Sequence, residues 1–174
     1  GANATIACPA TPSFTAPTAS DACGAVTIHQ LADVRVDGDC PAEYTLTRSW
    51  YFTDECGNAS DTVSQTINVI DDVAPVIVNG PGANATIACP ATPVFTAPTA
   101  SDACGAVTIH QLADVRVDGD CPAEYTLTRS WYFTDECGNQ SATVSQTITV
   151  VDDVAPVIVN GPGANATIAC PATP

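Results

Sequence analysis

The stretch YTLTRSWYFTD, Tyr44–Asp54, decides the fold class. Tyr44, Leu46, Trp50 and Phe52 fall on one face of an extended chain, and Thr45, Thr47, Ser49 and Thr53 on the other. An alternation of period two, with aromatics on one side and small polar residues on the other, is the pattern of a half-buried strand. Arg48 falls on the Trp50 face, where it is expected to stack on an aromatic ring or pair with an acid. Downstream, TVSQTINVI (Thr62–Ile70) places Val63, Ile67 and Val69 together. Upstream, NATIAC aligns Ala4, Ile6 and Cys8, and AVTIHQLADVRV (Ala25–Val36) is β-branched with a phase slip near Leu31. Pro, Gly, Asp and Asn clusters separate these runs, and no stretch carries a helical apolar stripe.

Beyond this block the text repeats. Residues 1–81 recur as 82–162 with five changes, Ser13/Val94, Ala59/Gln140, Asp61/Ala142, Asn68/Thr149 and Ile70/Val151, and residues 163–174 begin a third copy. A fixed period of this length marks an array of like modules. Six to seven short strands per period fit a β-sandwich of immunoglobulin type, so the expected class is all-β, with tandem sandwiches in an extended array. The expected units are 1–72, lacking part of its first strand, 73–153, and 154–174 as the start of a third, as in a window on a longer array. IDDVAPVIVNGPG (Ile70–Gly82) reads as a stiff, proline-bearing linker.

Composition narrows the function. Nine cysteines in 174 residues suit an oxidising exterior better than a reducing cytosol. Lysine is absent, and four arginines against 19 acids leave a net charge of -15. Such a surface repels nucleic acid and anionic membrane, and no apolar run is long enough to span a bilayer. The chain opens on Gly1-Ala2-Asn3, so any targeting segment is expected upstream or already removed.

The phrases TASDACG, TLTRSWYFTDECGN and SQTINVIDDVAPVI resemble hyalin-repeat (HYR-like) immunoglobulin-type modules, whose pattern is aromatic-x-x-x-Asp-x-x-Gly-Asn, a strand, then Asp-x-x-(Ala/Pro)-Pro. The four-cysteine form is similar to modules stacked in large surface adhesins of Bacteroidota-type bacteria. The resemblance covers essentially the whole period. It implies an extracellular stalk or fibre module of an adhesin or filament, not an enzyme, whose partners are neighbouring modules. The alternative is an adhesive module that binds glycan or protein through loops at one pole. Ser64 and Ser145 depart from the pattern where relatives carry a cysteine, so cysteine pairings do not carry over.

Each period holds four cysteines, which allow three internal pairings. In a sandwich of this kind DACG and DECG fall in loops at one pole, and Cys8 and Cys40 at the other. The expected bonds are therefore Cys23–Cys56, Cys8–Cys40, Cys104–Cys137 and Cys89–Cys121, with Cys170 left over. A rival scheme links neighbours through Cys40–Cys89 and Cys121–Cys170, with Cys8 left over. Spacings of 15, 17 and 16 lack the close pairs of zinc sites. A nucleophilic cysteine would need a base, and His29, the one histidine of its period, sits in a strand as a solvated side chain.

The acids suit calcium, which takes six to eight oxygens, or else serve as turn formers and solubilising charge. Asp71 and Asp72 at the boundary, with Asp54 and Glu55, and their counterparts Asp152, Asp153, Asp135 and Glu136, are the candidate ligands; Asp21 and Asn58 are further candidates in the same copy. Asn3, Asn58, Asn84 and Asn139 stand in N-x-[ST] triplets. Thr62, in Asp61-Thr62-Val63, resembles a short O-glycosylation motif of Bacteroidota. The second copy breaks it with Ala142.

Overall fold

The computed structural model describes residues 1–163 and Asn165. The described residues form strands and turns. The first repeat contains β1 (Ala4–Ala7), β2 (Val26–Gln30), β3 (Val34–Asp37), β4 (Tyr44–Asp54) and β5 (Val63–Ile70). The second contains β6 (Val76–Asn79), β7 (Ala85–Ala88), β8 (Thr99–Ser101), β9 (Val107–Gln111), β10 (Val115–Asp118), β11 (Tyr125–Asp135) and β12 (Val144–Val151).

The long aromatic strand organises each repeat. β4 pairs antiparallel with β5 along one edge, while β2 and β3 share its other edge. β2 lies against Trp50–Asp54 and β3 against Tyr44–Thr47, so the phase slip near Leu31 is where one strand breaks into two. β1 then adds parallel to β5. The same sheet recurs around β11, flanked by β12, β9 and β10, with β7 parallel to β12.

The apolar face is covered by the segment that follows β1 or β7. Phe95 packs edge-on against Trp131, with ring centroids 6.4 Å apart, as Phe14 does against Trp50. A buried glutamine fixes the cover to the sheet. The Oε1 of Gln146 accepts from Thr96 N at 2.9 Å and its Nε2 donates to Ala83 O at 2.9 Å, so both ends of its amide are satisfied. Trp131, Phe133, Ile148 and Val150 form the core beneath. Arg129 closes its edge, lying 4.4 Å over the Phe95 ring and forking onto Asp114 at 2.8 and 2.7 Å. Arg48 repeats this with Phe14 and Asp33, so the arginine expected either to stack or to pair does both.

The stretch Ile70–Gly82, read as a stiff linker that leads into the second unit, contains a strand. β6 pairs with β8 as a separate two-stranded sheet. In the first repeat Thr18–Ser20, identical to β8 in sequence, has no strand partner among the described residues.

Candidate functional site: the junction between repeats

The chemistry concentrates where the first repeat meets the second. β4 and β5 run antiparallel, so the start of one and the end of the other share a pole. Cys8 follows β1 there, its N–H donating to Ile70 O at 2.8 Å, and Cys40 precedes β4. Cys23 and Cys56 line one cleft at the opposite pole. The pole assignments expected from the sandwich topology are therefore those of the structure.

The bonds differ from the expected set. Cys8 pairs with Cys104, with Cα atoms 5.8 Å apart, and Cys40 pairs with Cys137 at 5.1 Å. Both separations lie in the range a disulfide bridges. The intramodular bonds Cys8–Cys40 and Cys104–Cys137 are replaced by two bonds across the junction. Cys23, Cys56, Cys89 and Cys121 are free thiols here, in place of the expected Cys23–Cys56 and Cys89–Cys121. The rival Cys40–Cys89 link is also replaced; Cys170, and with it Cys121–Cys170, lies outside the described residues. The physical reason is end-to-end stacking. The lower pole of one repeat meets the upper pole of the next, four cysteines gather, and sharing a pole does not choose between bonding along it and bonding across it.

Turn chemistry presents these cysteines. In DECGN the carboxylate of Asp54 accepts from Cys56 N at 2.9 Å, Asn58 N at 2.8 Å and Asn58 Nδ2 at 2.7 Å. Gly57 sits at φ +86°, a left-handed conformation that a side chain would strain. Asp21 caps its own loop through Cys23 N at 2.6 Å. The Asn58 side chain, with backbone N–H groups behind it, holds the Asp54 carboxyl below its ordinary range.

At the junction the second-repeat copy of this turn gains a neighbour. Asn139 Nδ2 donates to Asp135 and also to Asp71 O across the boundary, both at 2.9 Å. Asp71 is only 6% exposed. Burial pushes its carboxyl up, the Val73 N–H opposes this, and the charges of Asp102, Asp135 and Asp72 add to the rise. Burial also pushes Asp135 up, but hydrogen bonds from Asn139, Cys137 and Gly138 outweigh it and leave the group below the ordinary range.

Of the acids considered for calcium, Asp71 and Asp135 come together, joined by Asp102. The acids beside Asp71 thus belong to the next repeat, and Asp54 and Glu55 lie at the far pole of its own. Asp71, Asp102 and Cys104 offer ligand atoms within 4.8 Å of one another, but the Cys104 sulfur is spent in its disulfide. The remaining donors are hard carboxylate oxygens, the chemistry of calcium rather than zinc. Asp72 and Glu136 are exposed, and Asp152 and Asp153 sit beside Cys89 at the other end of the second repeat.

The glycosylation candidates divide by what holds them. Asn139 is committed across the junction and Asn58 to Asp54. Asn3 and Asn84 accept from Thr66 N at 2.8 Å and Thr147 N at 2.7 Å through Oδ1, and both are exposed, as is Thr62. His29 is not simply solvated. It stacks on Tyr51 at 4.7 Å between ring centroids and shares a 2.8 Å hydrogen bond with Thr53.

Residues 2–69 and 77–150 match the family described as HYR-like domain with 4 cysteines. The chain belongs to that family. It is 30% identical over 154 residues to hyalin of Strongylocentrotus purpuratus, an alignment that takes in 85% of this chain and 12% of hyalin's length. Among solved structures, human protocadherin-24 EC1-2 (form II) overlaps at a TM-score of 0.33 and 14% identity, covering 78% of this chain and 85% of that one, too low to carry an argument. Family and disulfides point to an extracellular or cell-surface module of adhesion type. These relatives establish the HYR family and not a bacterial adhesin.

Proposed function

We propose that this chain is a stiff spacer, a stalk or fibre segment of a cell-surface adhesin or filament, of the kind the four-cysteine modules resemble in bacteria. One observation carries the reading: two disulfides cross a single junction. A single bond leaves a rotation axis between two rigid bodies, whereas two bonds remove it. The Asn139–Asp71 hydrogen bond and the buried Pro75 act in the same direction. Near-identity of the repeats suits a spacer, since reach depends on number and rigidity rather than on diversity. Resistance to proteases follows from the same staples, which leave few segments able to open locally.

The test is small-angle X-ray scattering on the oxidised and reduced chain. The oxidised protein is expected to fit one elongated rigid particle. Reduction is expected to broaden the distance distribution toward hinged beads, at a secondary-structure content unchanged by circular dichroism. An identical profile in both states would remove the mechanical role.

A further inference from the structure

We propose that the outer face of each five-stranded sheet is a contact surface for a second copy of this chain, so that chains lie side by side with these faces packed together. The inference goes beyond the spacer reading and does not rest on it, since a hinged chain could pair through the same face.

The first observation is where the charge is not. The chain carries 19 acids and four arginines, a net charge of -15. Residues opposite one another in a ladder share a face, and successive residues alternate between faces. In the first repeat the charged strand residues Arg35, Asp37, Arg48 and Asp54 all take the parity of Trp50, on the face that carries the core. The other face bears no acid and no arginine on any of its five strands. One row crosses it as Thr5, Asn68, Thr45 and Val36, and the next as Thr66, Thr47 and Val34. The second repeat has the same rows, with Thr149 in place of Asn68. Two copies of so acidic a chain repel one another, and this face lets them approach without setting like charges opposite one another.

The second observation is that the face lies open in both repeats. Val34 and Val36 are 59% and 60% exposed, and Val115 and Val117 have the same values. A shallow hollow of about 250 Å³ opens over Asn3, Thr5, Thr66 and Asn68. At the poles, burial depends on whether a neighbouring repeat is present; for these valines it does not. The second repeat has β6 and the preceding repeat packed against it, and its valines are as bare as those of the first.

The third observation selects the partner. Hydroxyls of the face already hydrogen-bond within the sheet: Thr47 with Thr66 at 2.9 Å, Ser49 with Ser64 at 2.8 Å, and Thr53 with His29 at 2.8 Å. The same three bonds recur in the second repeat. Polar groups satisfied in this way are covered at little desolvation cost, but they have little left to offer a sugar, which is read through unpaired donors and acceptors. The aromatic pair of the face, His29 and Tyr51, is stacked on itself with centroids 4.7 Å apart. Methyl groups of Thr and Val remain outermost, a surface suited to packing on a second sheet at about 10 Å with strands aligned to within about 30°. From the usual strand spacing and rise, the face measures roughly 20 by 25 Å, or about 500 Å² per repeat. A stable interface takes about 800 Å² from each partner, so one repeat pairs weakly and an array gains strength from many repeats engaged at once.

The test is sedimentation velocity on the full oxidised chain over a range of concentrations, with free thiols alkylated so that no disulfide joins copies. Reversible association is expected. Raising NaCl from about 0.05 to 0.5 M should strengthen it at least about threefold, because salt screens the repulsion between acidic chains. Val36→Glu with Val117→Glu puts a carboxylate on each face at positions exposed enough for the fold to tolerate. This pair is expected to weaken association about tenfold or more, since the charge would be buried unpaired in the contact. Thr47→Val with Thr128→Val removes hydroxyls and keeps the shape of the face, and association is expected to persist. A chain that stays monomeric throughout, association that salt weakens, indifference to the glutamates, or loss on the valine substitutions would each overturn the proposal. The last of these would assign the hydroxyls to a polar ligand instead. Scattering from the dilute single chain tests the spacer reading separately, so either can fail alone.

Discussion

The two repeats differ at five positions, yet the same residues are buried in one and not in the other. Phe133 is 3% exposed, whereas Phe52, its counterpart, is half-buried; Ser141 is 7% exposed and Ser60 lies open. Two of the five, Ala59/Gln140 and Asp61/Ala142, flank Ser60/Ser141, but Phe52 and Phe133 lie in identical stretches. The cause is the neighbour: the second repeat has β6 and Asp71 packed over its upper pole, and the first does not. The repeat as a sequence unit is therefore not the unit of burial. Its core is completed by β6 and by Asp71, the latter from the unit before it.

The largest test of this contrast is to cut the junction. The two bonds span sequence separations of 96 and 97. Removing one loop of that size from an otherwise unlinked chain costs about 4–5 kcal/mol by the chain-entropy relation. Because both bonds close overlapping loops, the first removed should cost less than the second. Single and paired Cys→Ser substitutions, at Cys40 with Cys137 and at Cys8 with Cys104, followed by guanidinium unfolding, would show this inequality. Equal, additive losses would mean that the bonds do not share a loop, contrary to the structure.

The aromatic core gives a finer comparison. Phe133→Ala removes a fully buried ring and is expected to cost about 3–5 kcal/mol. Phe52→Ala removes a ring that water already reaches, and about half that loss is expected. Both are read from denaturant midpoints on otherwise identical chains. Equal losses in the isolated monomer would mean that the neighbour does not complete the core.

The sequence made the strands legible because their alternation is local. YTLTRSWYFTD states its own buried face, and Leu31 marks a break that the structure realises as two short strands on one partner. The turn role of Asp54 was legible for the same reason, since its partners lie two and four residues away. The disulfide partners were not. Cys8 and Cys104 are joined only because one repeat stacks on another, and the pattern within a period is blind to that stacking. The acid cluster was half legible: Asp71 stood out at the boundary, but Asp102 and Asp135 come to it from the next repeat. A signal did exist. Two cysteines at each pole, in an array of like units, allow a bond across every junction as readily as one within every unit.

The smallest expected effect concerns Asp71, whose counterpart Asp152 is exposed while Asp71 itself is buried. Burial first, then the charges of Asp102, Asp135 and Asp72, raises the Asp71 carboxyl above its ordinary value, with only the Val73 N–H opposing. A carboxyl raised in the folded state binds its proton more tightly there than in the unfolded chain. Its contribution to stability is thus full below the unfolded value, near 3.8, and is lost as pH rises through the folded one. Asp33, Asp54, Asp114 and Asp135 are lowered and act in the opposite sense, losing their contribution as pH falls through their depressed values. Asp71→Asn keeps an acceptor for Val73 N–H and removes the charge. At pH 7 it is expected to raise the melting temperature by about 1–2 °C, an advantage that shrinks on acidification as the native carboxyl takes up its proton. Asp152→Asn, at the uncovered pole, should change little at any pH. Thermal melts of the two variants from pH 7 down to pH 4 would separate a buried junction carboxylate from an exposed one, and matching curves would place the neighbour's effect in packing alone.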